Sequence, residues 1–559
     1  MRHSVLSLLA ISIACGGDDS TNVNPNNDGG NGVDGGGGGD VLRVPDTGAD
    51  GYVPPPTQSC TPPVSAPDTS NPTTVVGTGQ GTCNEALLVA AIAKAGVITF
   101  NCGTAVTITV SKTLALRTDV DTTIDGGGKV TIDGGNMVQI MSFNHADYRK
   151  NDIKLTLMRL TLAHGKIAGT DKYTPAPMPC SQGYYDGYGG ALLMRDGVLQ
   201  VFDTIFDGNG AEQLGPDVGG GAISLQGSKK ALIVGSTFKN GMASNGGAIE
   251  SLNSEFDVYN STFNNNIATG NGANSDDASK CSVVAKDGQH QVGSGGNGGA
   301  IAIDGGSDLT HTFCGVTFTG NRAGVGALAG AIGRTPDNAK QITVIDRCLF
   351  DDNQAPAGGG GALYFHNSNL QITATTFHAN KAKGCGAIQS DSTTLDFTND
   401  TFDGNEATGT GSIGGALCLF GVDGKLNNVT LANSKADGFG SAIFGGPMLT
   451  VDNSLFVNNT ANNPGAPMQC QMTATGTGNL QFPKNHTNGG APDTDCVSGI
   501  NYADPTLSPL NDNGGPTPTM LPKAASPALG IGKSCPPMDQ RAKSRPADGC
   551  TSGAVEGTQ

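Results

Sequence analysis

Three side chains that could share a proton occupy one slot of a recurring segment. Asp351, His378 and Asp403 each directly follow a phenylalanine, at intervals of 27 and 25 residues. An imidazole between two carboxylates can serve acid–base work or hold a divalent cation. No resident cofactor or metal is assigned from these residues, with calcium as a possible ion. The same slot elsewhere holds Asp207, Lys239, Asn264, Thr319 and Val457. That mixture also fits an ordinary solvated row with at most an Asp207–Lys239 ion pair. A second group is Tyr173, Tyr184, Tyr185 and Tyr188, within an insertion at 166–188. Exposed tyrosine rings stack on the apolar faces of sugars. A second insertion, at about 267–297, carries Lys280, Lys286, Asp287 and His290. Both insertions also fit variable surface loops, clipped by Cys180 or Cys281. No P-loop, Gly-x-Ser-x-Gly, His-Glu-x-x-His or Cys-x-x-Cys occurs.

The elements that must position these residues are repeats. Gly-Gly-Ala-Leu/Ile, or a near variant, recurs with its second residue at Gly190, Gly221, Gly247, Gly299, Gly330, Gly361, Gly386, Gly415 and Ser441. The spacings are 31, 26, 52, 31, 31, 25, 29 and 26, the 52 holding one repeat plus an insertion. Phe-x-x-Asn keeps phase with it, as in Phe206/Asn209, Phe318/Asn321 and Phe377/Asn380. Short alternating runs such as Ile301-Ala-Ile303 and Leu370-Gln-Ile372 read as half-buried strands. One unit cannot bury its apolar face alone, so units stack as a parallel solenoid, one repeat per coil, about 4.8 Å apart. Phe then forms an interior ladder. Asn suits a corner, because it tolerates left-handed backbone and its amide can pair with the next coil. Insertions at one phase of the coil project from one side and could wall a groove.

Composition agrees. Gly is 86 of 559 residues, charged residues are 14% and Trp is absent. The absence of a Gly-X-Y period excludes collagen. The net charge of -17 disfavours nucleic acid as a partner. Residues 1–15 resemble a lipoprotein signal, with an apolar Val5–Ile13 run and Ala14-Cys15-Gly16 making Cys15 the lipid anchor. Residues 16–59 form a Gly/Asp/Pro-rich disordered linker, 60–103 an N-terminal cap, 104–460 the solenoid and 461–559 a C-terminal cap. The cap carries a helix, with Thr82 to Glu85 as capping box, Leu87, Leu88, Ala91, Ile92 and Ala95 as apolar stripe and Gly96 as stop. Cys83 and Cys102 flank that helix and could be bridged. Proximity pairs Cys470 with Cys496 and Cys535 with Cys550. Of 14 cysteines, 13 remain if Cys15 is lipidated, so at least one thiol is left over.

The paired Gly-Gly-Ala-Ile/Leu and Phe-x-x-Asn motifs resemble the repeats of bacterial polymorphic outer membrane proteins. More broadly they resemble the pectin-lyase-like superfamily. That resemblance implies an all-β, single-stranded right-handed parallel β-helix, here with an N-terminal α-helical cap. Asp504-Pro-Thr, Asn513-Gly-Gly-Pro516, Ala525-Ser-Pro527, Asp539-Gln-Arg541, Arg545-Pro546, Cys550 and Gly553-Ala554 resemble the choice-of-anchor Q region of exported bacterial β-helix proteins. The superfamily's lyases and galacturonidases imply clustered acids with a basic partner. No Asn-Thr-Asp, Gly-His-Gly or Arg-Ile-Lys is present. The expectation is therefore a lipid-anchored protein of the bacterial surface or outer membrane, or a secreted one. It would bind polysaccharide or another surface ligand without catalysis. The alternative is a polysaccharide lyase or glycoside hydrolase acting on acidic glycans.

Overall fold

The course of one coil follows from where its backbone can turn. After Gly361-Ala362 the chain runs through strand Leu363–His366, then Asn369–Thr373, Thr376–His378 and Lys381–Ala382, before the next glycine corner. Asn367, Ala374 and Ala379 break these runs with φ of 50°, 52° and 52°. Such left-handed residues redirect a strand without a loop. Each of the four strands pairs in parallel with its counterpart one coil further on. The computed structural model describes residues 60–170, 186–215, 218–270, 295–305, 308–324, 327–335, 341–487 and 489–557. Among them, the nine strands that follow the Gly-Gly corners, with Leu114–Ala115 and Met141–Asn144, form one 11-stranded sheet. The two middle strands of each coil contribute to a 25-stranded sheet, and the shortest strands form sheets of two and five. Among the described residues, no helix is long and apolar enough to cross a membrane.

Inside the solenoid, like stacks on like. Phe206, Phe238, Phe263, Phe318, Phe350, Phe377 and Phe402 lie ring on ring, with centroids 4.5, 4.7, 4.9, 4.8, 4.8 and 4.7 Å apart. Beside them runs a wholly buried amide ladder. Asn266 Nδ2 donates to Asn321 Oδ1 at 2.9 Å, Asn321 to Asn353 at 2.9 Å, Asn353 to Asn380 at 3.0 Å and Asn380 to Asn405 at 3.0 Å. Each amide also donates to the carbonyl of a ladder Phe, Asn380 to Phe350 at 2.9 Å. Every polar atom of the side chain is thereby used, which burial demands. The ladder asparagines are not the left-handed residues expected from sequence. That conformation falls one residue earlier, at Asn265, Asp352, Ala379 and Asn458, so the ladder Asn keeps ordinary backbone while its amide faces inward.

The second glycine of each corner answers to space. A Cβ on Gly361 would come within 2.1 Å of the Gly386 carbonyl oxygen on the next coil, and one on Gly386 within 2.0 Å of that of Gly415. The corner backbones touch, and only glycine fits between them. Ser441 ends the series and turns its hydroxyl to the Met468 carbonyl at 2.7 Å.

Parallel pairing extends on both sides of the 104–460 span. It starts at Thr74–Val76 against Gly96–Phe100 and continues to Leu480–Phe482 and Asn501–Tyr502. Helix Glu85–Lys94 buries Leu88, Ala91 and Ile92 in the same core as the first coils. Its N-cap is Asn84, whose side chain accepts from Leu87 N at 3.1 Å. Thr82 instead accepts from Thr78 N and Gly79 N in the preceding turn. Glu85 turns away to Ser111, and Leu87 is exposed.

Residues 504–557 lie along the flank of the coils. Thr376 donates to the Pro518 carbonyl at 2.7 Å, Thr401 to Gln540 Oε1 at 2.6 Å, and Ala554 N to Thr430 Oγ1 at 3.0 Å. The N-terminal segment is pinned in the opposite half. Cys60 is disulfide-bonded to Cys314 and exchanges two hydrogen bonds with Asn260, at 2.7 and 2.8 Å. Thr69 donates to Asp125, which also holds Arg159. Between these pins runs one in-register row on the outer face: Asp125, Met158, Phe202, Val234, Tyr259 and Cys314. Met158, Phe202 and the neighbouring Leu232 are buried although they point away from the core. Nine residues of extended chain reach about 28 Å, against about 24 Å for five coil spacings. Residues 60–69 therefore form a strap over an apolar strip.

Further disulfides join Cys83–Cys102, Cys385–Cys418, Cys470–Cys496 and Cys535–Cys550. Cys348 is a buried free thiol, pushed up to about 12 chiefly by burial. Cys15, Cys180 and Cys281 lie outside the described residues.

Two predictions follow from this packing. Asn380→Ala strands buried donors on Asn353 and leaves the Phe350 carbonyl unmet, and should cost about 3 kcal/mol in chemical denaturation. Asn380→Ser should cost less, since Ser434 serves in an equivalent ladder position. The Cys60→Ser/Cys314→Ser double variant should release the strap and bind a hydrophobic dye at temperatures where the parent does not. Dye binding equal to the parent's would show that the strap holds without its bridge.

Candidate functional site

The parallel register brings the expected column together. Asp351 pairs with His378 and His378 with Asp403 on successive coils. His378 Nδ1 lies 2.7 Å from Asp351 Oδ1, and Nε2 lies 4.0 Å from Asp403 Oδ2. Asp403 also accepts from Asn433 at 2.6 Å. Further along the same slot, Lys239 Nζ pairs with Asp207 at 3.0 Å. Asp352, next to the column, has its carboxyl pushed upward, first by burial and then by the charge of Asp351. Calcium, which takes oxygen ligands, does not suit this arrangement. One imidazole nitrogen is committed to Asp351, the other faces Asp403, and the ring itself separates the two carboxylates. Among the described residues, the group near enough to share an ion is Cys60, Cys314 and Asp346, but its two sulfurs are bonded to each other. The column is a hydrogen-bonded ladder between coils, and the Thr376 and Thr401 side chains on its strands are already covered by residues 518 and 540.

Of the insertion tyrosines, Tyr173, Tyr184 and Tyr185 lie outside the described residues. Tyr188 is half-buried, and its carbonyl accepts from Gln139 Nε2 at 2.8 Å. The described ends of the two insertions share one edge. Gly169 N donates to buried Glu212 at 2.7 Å, Ser244 N to the Glu212 carbonyl at 2.7 Å, and Gly296 N to the Ser244 carbonyl at 2.7 Å.

Beside that edge lies the outer face of the 11-stranded sheet, which concentrates chemistry that sequence reasoning missed. Alternation along each strand points the second and fourth residues outward. In the second slot, register aligns Glu250, Ala302, Gly333, Tyr364, Gln389, Cys418 and Phe444. The fourth slot supplies Asp304, Thr335, His366, Asp391 and Phe420. The small side chains of Ala302 and Gly333 leave a dent. There a cavity of about 50 Å³ is lined by Asn245, Glu250, Asn297, Asp304 and Thr335. Next along the row, Tyr364 and Asp391 are hydrogen-bonded, and Gln389 Nε2 lies 3.4 Å from Asp391 Oδ2. Burial raises the Asp391 carboxyl, opposed by the Tyr364 and Gln389 hydrogen bonds and by His366. Burial, then the Asp391 carboxylate, raises the Tyr364 phenol as well. Beyond lie the half-buried rings of Phe420, Phe444 and Phe439, with Phe444 5.5 Å from Phe420 and 5.6 Å from Phe439. The Cys385–Cys418 bridge staples the corner before Gln389 to the next strand. The signal that could have found this row is the outward slot two residues after each Gly-Gly-Ala-Leu/Ile leader, read down the aligned repeats.

A family model described as "Right handed beta helix region" matches residues 190–419. With the parallel solenoid, that match supports a right-handed β-helix over those residues. Among solved structures, the crystal structure of PfbA, a surface adhesin of Streptococcus pneumoniae, aligns at 12% identity with a TM-score of 0.34, covering 69% of this chain and 90% of that one. No curated protein sequence matches.

The raised Asp391 carboxyl has a defined consequence. A group whose folded pKa is raised stabilises below its unfolded pKa, near 3.9, and loses that contribution as pH rises through the folded value. Asp391→Asn should therefore gain melting temperature relative to the parent at pH 7 and lose the gain near pH 4. Equal melting differences at both pH values would show that the carboxyl is not held in its neutral form by the fold.

Proposed function

We propose that this chain is a surface protein that binds an extended polysaccharide, without turning it over, along the outer face of the 11-stranded sheet. The observation that carries this reading is the unbroken row from the Glu250/Asp304 dent, past Tyr364 and Asp391, to Phe420, Phe444 and Phe439. From Glu250 to Phe444 there are six coil spacings, about 29 Å, which suits an oligosaccharide lying along the rod. Aromatic faces stack on sugar rings, and Asn245, Asn297, Gln389 and Thr335 supply polar groups for hydroxyls. The charge of the row decides the ligand class. Glu250 and Asp304 repel uronate-rich chains, so neutral or amino-sugar glycans fit better than acidic ones.

In the same reading, Cys15 carries the lipid and residues 16–59 are the tether. Helix Glu85–Lys94 covers the exposed edge of the first coil. Residues 461–559, with their choice-of-anchor Q-like motifs, brace the last coils, and the repeats are of the polymorphic outer membrane protein kind. A second reading, hydrolysis or elimination of a glycan, is favoured by one observation, the convergence of Tyr364, His366 and Asp391.

A glycan array with the purified chain tests the first reading. Binding to neutral or amino-sugar polymers is expected. Tyr364→Ala/Phe444→Ala should weaken it about tenfold at two lost ring contacts, while Asp351→Asn/His378→Ala/Asp403→Asn leaves it unchanged. No binding to any glycan or cell surface would end this reading. Reducing ends, or unsaturated product absorbing in the ultraviolet, released by the parent and not by Asp391→Asn would replace binding with catalysis.

A further inference from the structure

Arg334 is the largest wholly buried side chain among the described residues. It lies on strand Ile332–Thr335 and points inward, in register with Ile303 and Phe365. Its two terminal nitrogens donate to Thr343 Oγ1 and Gln341 Oε1, while its Nε meets no acceptor. Among the described residues no carboxylate pairs with it. Burial alone pulls its pKa down, to about 9, so it stays cationic at neutral pH. Thr343 is the register partner of His311 on the preceding coil. That imidazole is also wholly buried, packs 5.0 Å from the Phe256 ring, and has the Phe256 backbone as its hydrogen-bonding neighbour. Burial, then the charge of Arg334, depresses its pKa well below the ordinary value, which leaves it neutral.

A cation sealed in an apolar interior without counter-charge is among the costliest arrangements in a protein. The Nε–H of Arg334 is unspent, and beside it lie the His311 ring and the Thr343 hydroxyl, whose oxygen already accepts from Arg334. There is no acceptor set for a cation. We propose that the corner between Arg334, Thr343 and His311 holds a small monovalent anion of the halide class, bound inside the solenoid as it folds. All three side chains are wholly buried, which disfavours ligands as large as phosphates and sugars. The anion neutralises the guanidinium and ties strands Thr310–Cys314, Ile332–Thr335 and Ile342–Asp346 together. This inference is independent of the glycan reading.

The full chain, refolded at pH 7.5 in sodium chloride, bromide or gluconate at equal ionic strength, provides the test. Amide exchange in those three strands should be about tenfold slower with either halide than with gluconate. Crystals grown in bromide should show an anomalous peak beside Arg334 Nε. Arg334→Met removes the charge at similar volume and should abolish the salt difference. If that variant does not fold, His311→Phe, which can pack on Phe256, should reduce the difference without removing it. Equal exchange in all three salts, or a water with no anomalous signal at the corner, would overturn the proposal. So would a halide effect that appears only in Asp337→Asn, because the chain itself would then supply the counter-charge.

Discussion

Everything in this molecule rests on the requirement that each coil sit in register about one strand spacing from the next. A parallel sheet alone sets that spacing, but not which residue lies over which. The amide ladder does. Asn353 Oδ1 takes both the backbone N–H and the side-chain N–H of Asn321, so a slip of one residue would leave several buried donors without acceptors. The stacked phenylalanines would tolerate a small shift, since offset stacking has a broad minimum. The asparagines would not, and the polar ladder therefore supplies specificity where the apolar one supplies burial. The glycine corners act in the same sense from outside, because Gly361 and Gly386 are held against carbonyl oxygens one coil away.

Given that register, the outer surface divides into territories. The strap 60–69 covers the apolar row from Met158 to Tyr259. The C-terminal residues 517–554 cover Thr376, Thr401 and Thr430 further along. Neither territory includes the outward slots of the 11-stranded sheet. The bridges share this logic: Cys60–Cys314 fastens a cover, whereas Cys385–Cys418 stiffens the open row itself.

Much of this was legible in the sequence, because repeats expose whatever recurs at fixed phase. The Phe ladder, the glycine corners and the Asp351–His378–Asp403 alignment follow from spacing alone. What spacing does not show is which aligned column is left open. Asp351 and His378 attract attention as an acid–base pair, yet their strands are partly occupied by a tail more than a hundred residues away in sequence. Tyr364 and Asp391 share no motif, and become neighbours only when the second slot of one coil is set diagonally against the fourth slot of the next. Cys60 and Cys314, 254 residues apart, are invisible to any argument from proximity. The helix cap moved from Thr82 to Asn84 because Thr82 closes the preceding turn.

A solenoid separates stability from recognition by a period of two. Inward slots must repeat, since each contacts its own copy above and below; outward slots need not, since the strands are already held by backbone hydrogen bonds. Variation between coils is thus a guide to function here. The outward column Thr237, Thr262 and Thr317 is monotonous, while Ala302, Gly333, Tyr364, Gln389 and Phe444 change size and chemistry at every step. Among the inward residues that depart from their column, Arg334 is the largest. An inward slot that elsewhere takes Ile303, Phe365 or Ser390 has no packing reason to carry a guanidinium. Where an inward residue departs from its column, the departure must be compensated by something inside the rod, and at this coil the unmatched Nε–H and the charge of Arg334 define the chemistry of that compensation.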